Sequence, residues 1–178
     1  NFAVTSRCNN RDWFSIPLGH VWDIFASYWE RASDRHRLEI HAFVLMSNHF
    51  HLLASTPDAN LNDIMREAMT GISKAIARET GRINHVFGGR YKWSILSDPI
   101  SVGYVLKYVY RNPVRASLCN RVEEYPHSSL WHLLQNSYSF PLSDRVGEIS
   151  NGVKRIKDRL AWLNLPTRKE SEEMIRRA

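Results

Sequence analysis

At 178 residues the chain is long enough to bury an ordinary hydrophobic core as one domain, so neither disulfides nor a structural metal are needed for folding. Lys and Arg outnumber Asp and Glu 24 to 18, a formal charge of +6 that favours a polyanionic partner such as DNA or RNA. No run approaches the roughly 20 apolar residues of a membrane span, the first residues lack a signal-peptide layout, and Cys8 and Cys119 form neither a paired framework nor a metal spacing. A soluble, cytoplasmic protein is expected.

In chain order, "NFAVTS" alternates apolar and small polar residues as a strand does, and the missing initiator Met predicts that the natural chain begins earlier. After the turn-rich "NNRDWFSIP", the run from Leu18 to about Arg37 places Val21, Ile24, Phe25, Tyr28 and Trp29 at helical spacing. "LEIHAFVLM" reads as a buried strand, Ser47-Asn48 as a two-residue turn and "HFHLLAS" as the returning strand. A helix follows over Asn60 to Gly81, with Leu61, Ile64, Met65, Ala68, Ile72, Ala75 and Ile76 on one face and Gly81 as its stop. Its other face carries Arg66, Lys74, Arg78 and Arg82 at multiples of four, either a phosphate track or an ordinary solvated basic face.

Next come a basic, Gly-rich loop, "HVFGGRYK", a short strand "WSIL", and a helix from about Asp98 to Arg111 closed by Pro113. "EEYPHSSLWHLL" reads as an acidic and aromatic loop. From Leu142 aromatics thin out, and one or two short charged helices are broken near Pro166. The order of elements predicts an α+β fold, an antiparallel sheet with packed helices, over residues 1–141, with a charged helical extension over 142–178. Lys154, Arg155, Lys157, Arg159, Arg168, Lys169, Arg176 and Arg177 make that extension a second DNA contact, a cover over the site, or a plain surface helix.

In a strand, residues two apart share a face, so His49 and His51 project together while Phe50 points the other way. Such a pair is either hydrogen-bonded core histidine or a grip for one divalent ion. Two imidazoles leave an ion short of ligands, and "YVLKYVYRNPVRASL" offers a further donor. There Tyr108 and Asn112 stand four apart, one turn from each other on a helix face, with Pro113 affecting the aim of Asn112. Tyr104, Tyr108 and Tyr110 also suit ordinary aromatic packing.

"HAFVLMSNHFHLL", "GRINHVFGGRYK" and "YVLKYVYRNPVRASL", in that order, resemble the single-tyrosine HUH transposases. The opening "VTSRCNNR" with "GGRYK" points to their REP-associated branch, the RAYTs. The resemblance runs from about residue 2 to Trp131. It implies a ferredoxin-like fold and a cytoplasmic DNA enzyme acting on single strands beside hairpins of repetitive extragenic palindromes. Position by position it implies His49 and His51 as metal ligands, Tyr108 as nucleophile and Asn112 as third ligand. The chain departs from the family pattern at Cys8, Ser47 and Tyr110, where Gly, Pro and His are usual.

The implied chemistry is phosphodiester cleavage with Mg²⁺ or Mn²⁺ as cofactor and a covalent 5′-phosphotyrosine that a free 3′-OH can resolve. The base that takes the phenol proton is open among water, a metal-bound hydroxide, His41 and His85. Arg90 and Lys92 of "GGRYK" are candidate DNA contacts, the two glycines allowing close backbone approach. Arg111 and Arg115 flank the end of the tyrosine helix as further contacts. Two rival readings are a domesticated protein that binds hairpin DNA without cutting it, and an HUH nuclease of the replication-initiator or relaxase type. A single tyrosine in so short a chain disfavours the second, and both monomer and homodimer remain open.

Overall fold

The computed structural model describes residues 1–137, 139–143 and 156–167. Strands β1 (Phe2–Arg7), β2 (Glu39–Leu45), β3 (His49–Ser55) and β4 (Lys92–Ile95) form one antiparallel sheet in the order β2-β3-β1-β4. Helix α1 (Leu18–His36) links β1 to β2, and α2 (Leu61–Thr80) links β3 to β4. This is the α+β antiparallel sheet expected from the order of elements, in the ferredoxin-like split βαβ arrangement that the resemblance implies. Helices α3 (Pro99–Arg115), α4 (Ser129–Leu134) and α5 (Ile156–Asn164) follow.

The two-residue side-chain period of the strands builds a core on each side of the sheet. Phe50, Leu52 and Ala54 of β3 and Phe43 and Leu45 of β2 pack with α1 and α2. Leu53 of β3 and Ala42 and Val44 of β2 pack with α3 on the opposite face. A register shift between Ile40 and Ala42 changes the phase of β2, so that Ile40 joins Phe43 and Leu45 in the first core. On the α1 and α2 side, Phe25, Trp29, Phe43 and Phe50 meet at ring separations such as 5.3 Å for Phe25 and Phe50 and 5.7 Å for Trp29 and Phe43. Contacts of that kind add about 0.5–1.5 kcal/mol each beyond area burial.

The turn between β2 and β3 is the expected Ser47-Asn48 pair, closed by a bond from the Met46 N–H to the His49 carbonyl at 2.8 Å. Helix α2 ends at the expected Gly81, whose φ of 65° is the left-handed value a glycine takes without strain.

Helix α3 differs from expectation. It starts where predicted, with the Asp98 side chain accepting from the Ser101 N–H at 2.8 Å, but runs through Pro113 to Arg115. Pro113 removes one helical bond. Its ring is buried, however, next to Val109 and Tyr110 of the second core, and the Asn112 and Pro113 carbonyls accept from Ala116 and Leu118 at 3.0 Å. Packing of the last turn outweighs the local preference of proline. The stretch expected as an aromatic loop contains α4, capped by Ser128, which accepts from the Trp131 N–H at 3.1 Å. Ser129 Oγ also accepts from the Phe43 N–H at 2.9 Å and covers part of the outer edge of β2.

The chain past residue 141 begins on the sheet, since Leu142 bridges to Ile40. Helix α5 docks against α3 through buried Leu163 and through Lys107 Nζ, 5.0 Å from the Trp162 ring centre. Asn164 accepts from the Val122 N–H at 3.0 Å and donates to Glu123 at 2.8 Å. Of the extension's charged residues, Lys154, Arg155, Arg168, Lys169, Arg176 and Arg177 lie outside the described residues.

Helices α1 and α2 pack closely at Gly71, where an added Cβ would overlap the Tyr28 ring. Gly71→Ala should therefore push the half-exposed Tyr28 ring aside and destabilise the protein by up to about 1 kcal/mol in urea melts. In a Tyr28→Ala background the same change should stabilise it, by up to about 1 kcal/mol of helix propensity. A cost that persists without Tyr28 would show that the overlap is not its source.

Candidate active site

The period of β3 that sends Phe50 and Leu52 toward α1 and α2 sends His49 and His51 to the face covered by α3. The imidazoles lie 5.2 Å apart between ring centres, nearly perpendicular. Helix α3 buries Val105 and Val109 against the sheet and leaves Tyr108 half-buried at its flank. The Tyr108 ring meets His51 edge to face at 5.6 Å. The structure thus brings together three of the predicted groups from two elements more than fifty residues apart. Two of them, His51 and Tyr108, line an open cleft of about 840 Å³ together with Thr5, Arg7, Arg90 and Lys92 among others, whereas His49 and Asn112 are not among its lining residues.

His49 Nδ1 lies 2.7 Å from Asn48 Oδ1. In the neutral ring this places the proton on Nδ1 and leaves the Nε2 lone pair open. Burial, reinforced by the Arg7 guanidinium, lowers the His49 pKa to about 4. Burial, then His49, Arg7 and Arg115, lower that of His51 to about 3. Both rings are neutral near pH 7, the form that ligates a metal. Asn112 donates its amide to the Tyr108 carbonyl at 2.9 Å, which leaves its side-chain oxygen as the remaining donor atom. Two imidazole nitrogens and a carboxamide oxygen are a set that could hold Mn²⁺ or Mg²⁺ with water and phosphate completing the sphere. Among the described residues no group of three or more His, Cys, Asp or Glu offers a competing site. The Arg115 guanidinium lies 5.4 Å from the centre of the Tyr108 ring.

Arg90 and Lys92 line this cleft. Arg66 and Lys74 line a second one beside α2, and Arg78 lines neither. Arg111 lines neither cleft; its guanidinium donates to the Leu163 and Asn164 carbonyls at 3.3 and 2.5 Å and so caps the end of α5. Neither candidate histidine base lines the cleft with Tyr108. His41 is fully buried and bonded to Ser55 at 2.9 Å, while His85 stands on the far loop. Tyr110 is buried and bonded to Ser129 at 3.0 Å, which makes it the packing tyrosine. Of the two loop glycines, only Gly88 sits at a close approach, where a Cβ would lie 3.2 Å from Asn9 Cα.

Arg7 went unread in the sequence. It pairs directly with His49 across β1 and β3, as Thr5 pairs with His51, and so shares their face. The signal that could have found it is the alternation of "NFAVTSR" set in register against "HFHLLAS".

A family described as IS200-like transposases matches residues 8–112. The solved structure of a REP-associated tyrosine transposase bound to a REP hairpin aligns with 82% of this chain and 86% of its own at 17% identity, with a TM-score of 0.62. A crystal structure from Deinococcus radiodurans R1, described as a candidate transposase, covers 77% of this chain and 89% of its own at 12% identity. Its TM-score of 0.44 is too low to carry an argument. No curated protein sequence matches the chain.

In metal-free protein the histidine pair sets an acid sensitivity. Between the folded value of about 4 for His49 and its ordinary 6.5, the unfolded chain holds more protons than the folded one, so stability falls as pH falls through that window. Melts in chelator from pH 7 to pH 4 should lose up to roughly 6 kcal/mol less in a His49→Gln, His51→Gln double variant than in the parent, about 3 for each ring. Equal acid sensitivity in the two would count against a neutral buried pair.

Proposed function

The chain belongs to the IS200-like transposase family, and from that premise we propose that it is a metal-dependent endonuclease and strand transferase for single-stranded DNA, of the REP-associated type. The observation that carries the reading is the convergence of His49, His51 and Tyr108 at ring separations of 5.2 and 5.6 Å. Motif order and a fold shared with a REP-hairpin-bound transposase support the REP-associated branch and a hairpin beside the cut. All three groups come from one chain, which favours a site complete in a single subunit.

In the proposed reaction the Tyr108 hydroxyl oxygen attacks the scissile phosphorus and the bond to the 3′ oxygen breaks. The DNA segment on the 3′ side of the cut stays on Tyr108 through its 5′-phosphate, as a phosphotyrosine, and the upstream segment leaves with a free 3′-OH. The proton lost by the phenol is matched by one gained at the departing 3′-OH. Because the phosphodiester is exchanged rather than hydrolysed, a 3′-OH attacking in reverse rejoins strands without ATP. Held by His49, His51 and the Asn112 oxygen, Mn²⁺ or Mg²⁺ would supply positive charge at the non-bridging oxygens. The chain's own residues do the rest. Arg115 over the Tyr108 ring and Arg7 beside the histidines create a positive field where negative charge develops. Arg90, Lys92 and Arg115 are the proposed phosphate contacts near the cut, and Arg66, Lys74 and Arg78 extend a basic track along α2.

The test is a denaturing gel of the protein with end-labelled single-stranded DNA carrying the palindrome and flanks nearest its own gene, in Mn²⁺ or in chelator. A covalent adduct should form in Mn²⁺, vanish in chelator, and be absent in Tyr108→Phe and His51→Ala. Hairpin binding without adduct in either metal would favour the non-cutting hairpin binder.

Lys92→Ala should weaken DNA binding similarly across sequences and reduce the slope of log affinity against log salt by about 1. An unchanged slope would remove Lys92 from the phosphate contacts.

A further inference from the structure

The second cleft, about 870 Å³, lies between α2 and the loop from Arg82 to Tyr91. It is the neighbour of the catalytic cleft: Asn9, Gly88, Gly89 and Arg90 line both. Its floor is apolar: half-buried Met69 and the edge of Phe87 face the cleft, backed by fully buried Met65 and Val86. Its rim is cationic, with Arg66, Lys74, Arg82 and Arg90 against the single carboxylate of Asp63. Arg66 bonds Asp63 at 2.9 Å and Arg82 bonds Asp12 at 3.3 Å, so these two charges are partly offset. An apolar floor under a net positive rim suits a flat ring carried on a phosphate chain.

Asn62 adds direction. Its side-chain oxygen accepts from the Tyr91 hydroxyl at 2.7 Å and from Arg90 Nη2 at 2.9 Å. Both acceptor positions of that oxygen are therefore used, and the two N–H donors are what the carboxamide still offers. A donor fixed in this way recognises an acceptor on a base edge, such as a purine ring nitrogen or a pyrimidine O2.

Between the clefts the partition is low. A Cβ at Gly89 would meet nothing within 4 Å, so a strand passing from one cleft to the other crosses open space there rather than a side chain. Arg90, held by Asn62, stands at the crossing.

We propose that the second cleft receives one or two unpaired bases of the same DNA strand whose scissile phosphate lies at Tyr108, with Asn62 donating to the base edge and the Met69 and Phe87 floor under its ring. The proposal rests on the DNA-cleaving reading above and makes this cleft a determinant of where the strand is cut.

The experiment uses the palindrome-bearing strand of the adduct assay. Once the adduct has mapped the cut, each flanking nucleotide in turn is made abasic and binding is measured in chelator for the parent, for Asn62→Ala, and for Thr70→Trp, which fills the cleft from the exposed face of α2. In the parent, one or two adjacent abasic positions should weaken binding roughly 5- to 100-fold, the range of a lost base stack. Those penalties should shrink at the same positions in both variants and stay unchanged elsewhere, the mark of energetic coupling between that base and the cleft. Penalties that no cleft variant changes, or variants that weaken every substrate alike, would overturn the proposal and leave an electrostatic track only. Absence of an adduct in the parent would instead overturn the cleavage reading, while the abasic scan on the whole palindrome strand still reports on the cleft.

Discussion

The alternation along β3 is the constraint from which the rest of the molecule follows. Phe50, Leu52 and Ala54 are committed to one core, so His49 and His51 must share the opposite face with Leu53. A slip of one residue would drive both imidazoles into an aromatic core and turn Phe50 toward the cleft. That slip is blocked from both sides, because β3 pairs with β1 along Phe2–Arg7 and with β2 along Glu39–Leu45. The same hydrophobic burial that stabilises the sheet therefore fixes the direction of the two histidines.

Helix α3 supplies the other half of the site under a second constraint. Its buried stripe, Val102, Val105, Leu106 and Val109, sets its rotation on the sheet, and that rotation decides which side Tyr108 occupies. Tyr110, two residues on, points into the core and bonds Ser129, so helical phase rather than residue type separates the tyrosine beside His51 from the packing one. The loop through Gly88 is stitched to the end of β1 by Asn9 N–H to the Val86 carbonyl at 2.9 Å and Gly88 N–H to the Arg7 carbonyl at 3.0 Å. Arg7, Arg90 and Lys92 thereby gather around one cleft although they come from distant segments.

What was legible in the sequence is what depends on local period. The strand "HFHLLAS", the two-residue turn before it, and the helix ending at Gly81 could each be read from neighbours in the chain. The meeting of His51 and Tyr108 could not be read from spacing; it came from the order of three motifs resembling a known family. The end of α3 was misplaced because the proline rule is local whereas the burial of Pro113 is tertiary. Neither Arg7's place on the histidine face nor Arg111's bonds to α5 can be read from neighbours in the chain, for a related reason. The first depends on cross-strand register, and the second on where α5 docks more than forty residues later.

That docking has a consequence for the order in which the protein is made. The sheet and its two flanking helices are complete once Ile95 has been synthesised, yet α3 draws on Leu163 for its core and on the carbonyls of Leu163 and Asn164 as partners for Arg111. On the ribosome the histidine-bearing scaffold is thus available well before the tyrosine helix has all of its supports. Tyr108 therefore sits on a helix that is fully anchored only after the sheet is complete, and a chain cut short before Ile156 would carry the His49 and His51 face without the full anchorage of the helix that bears Tyr108.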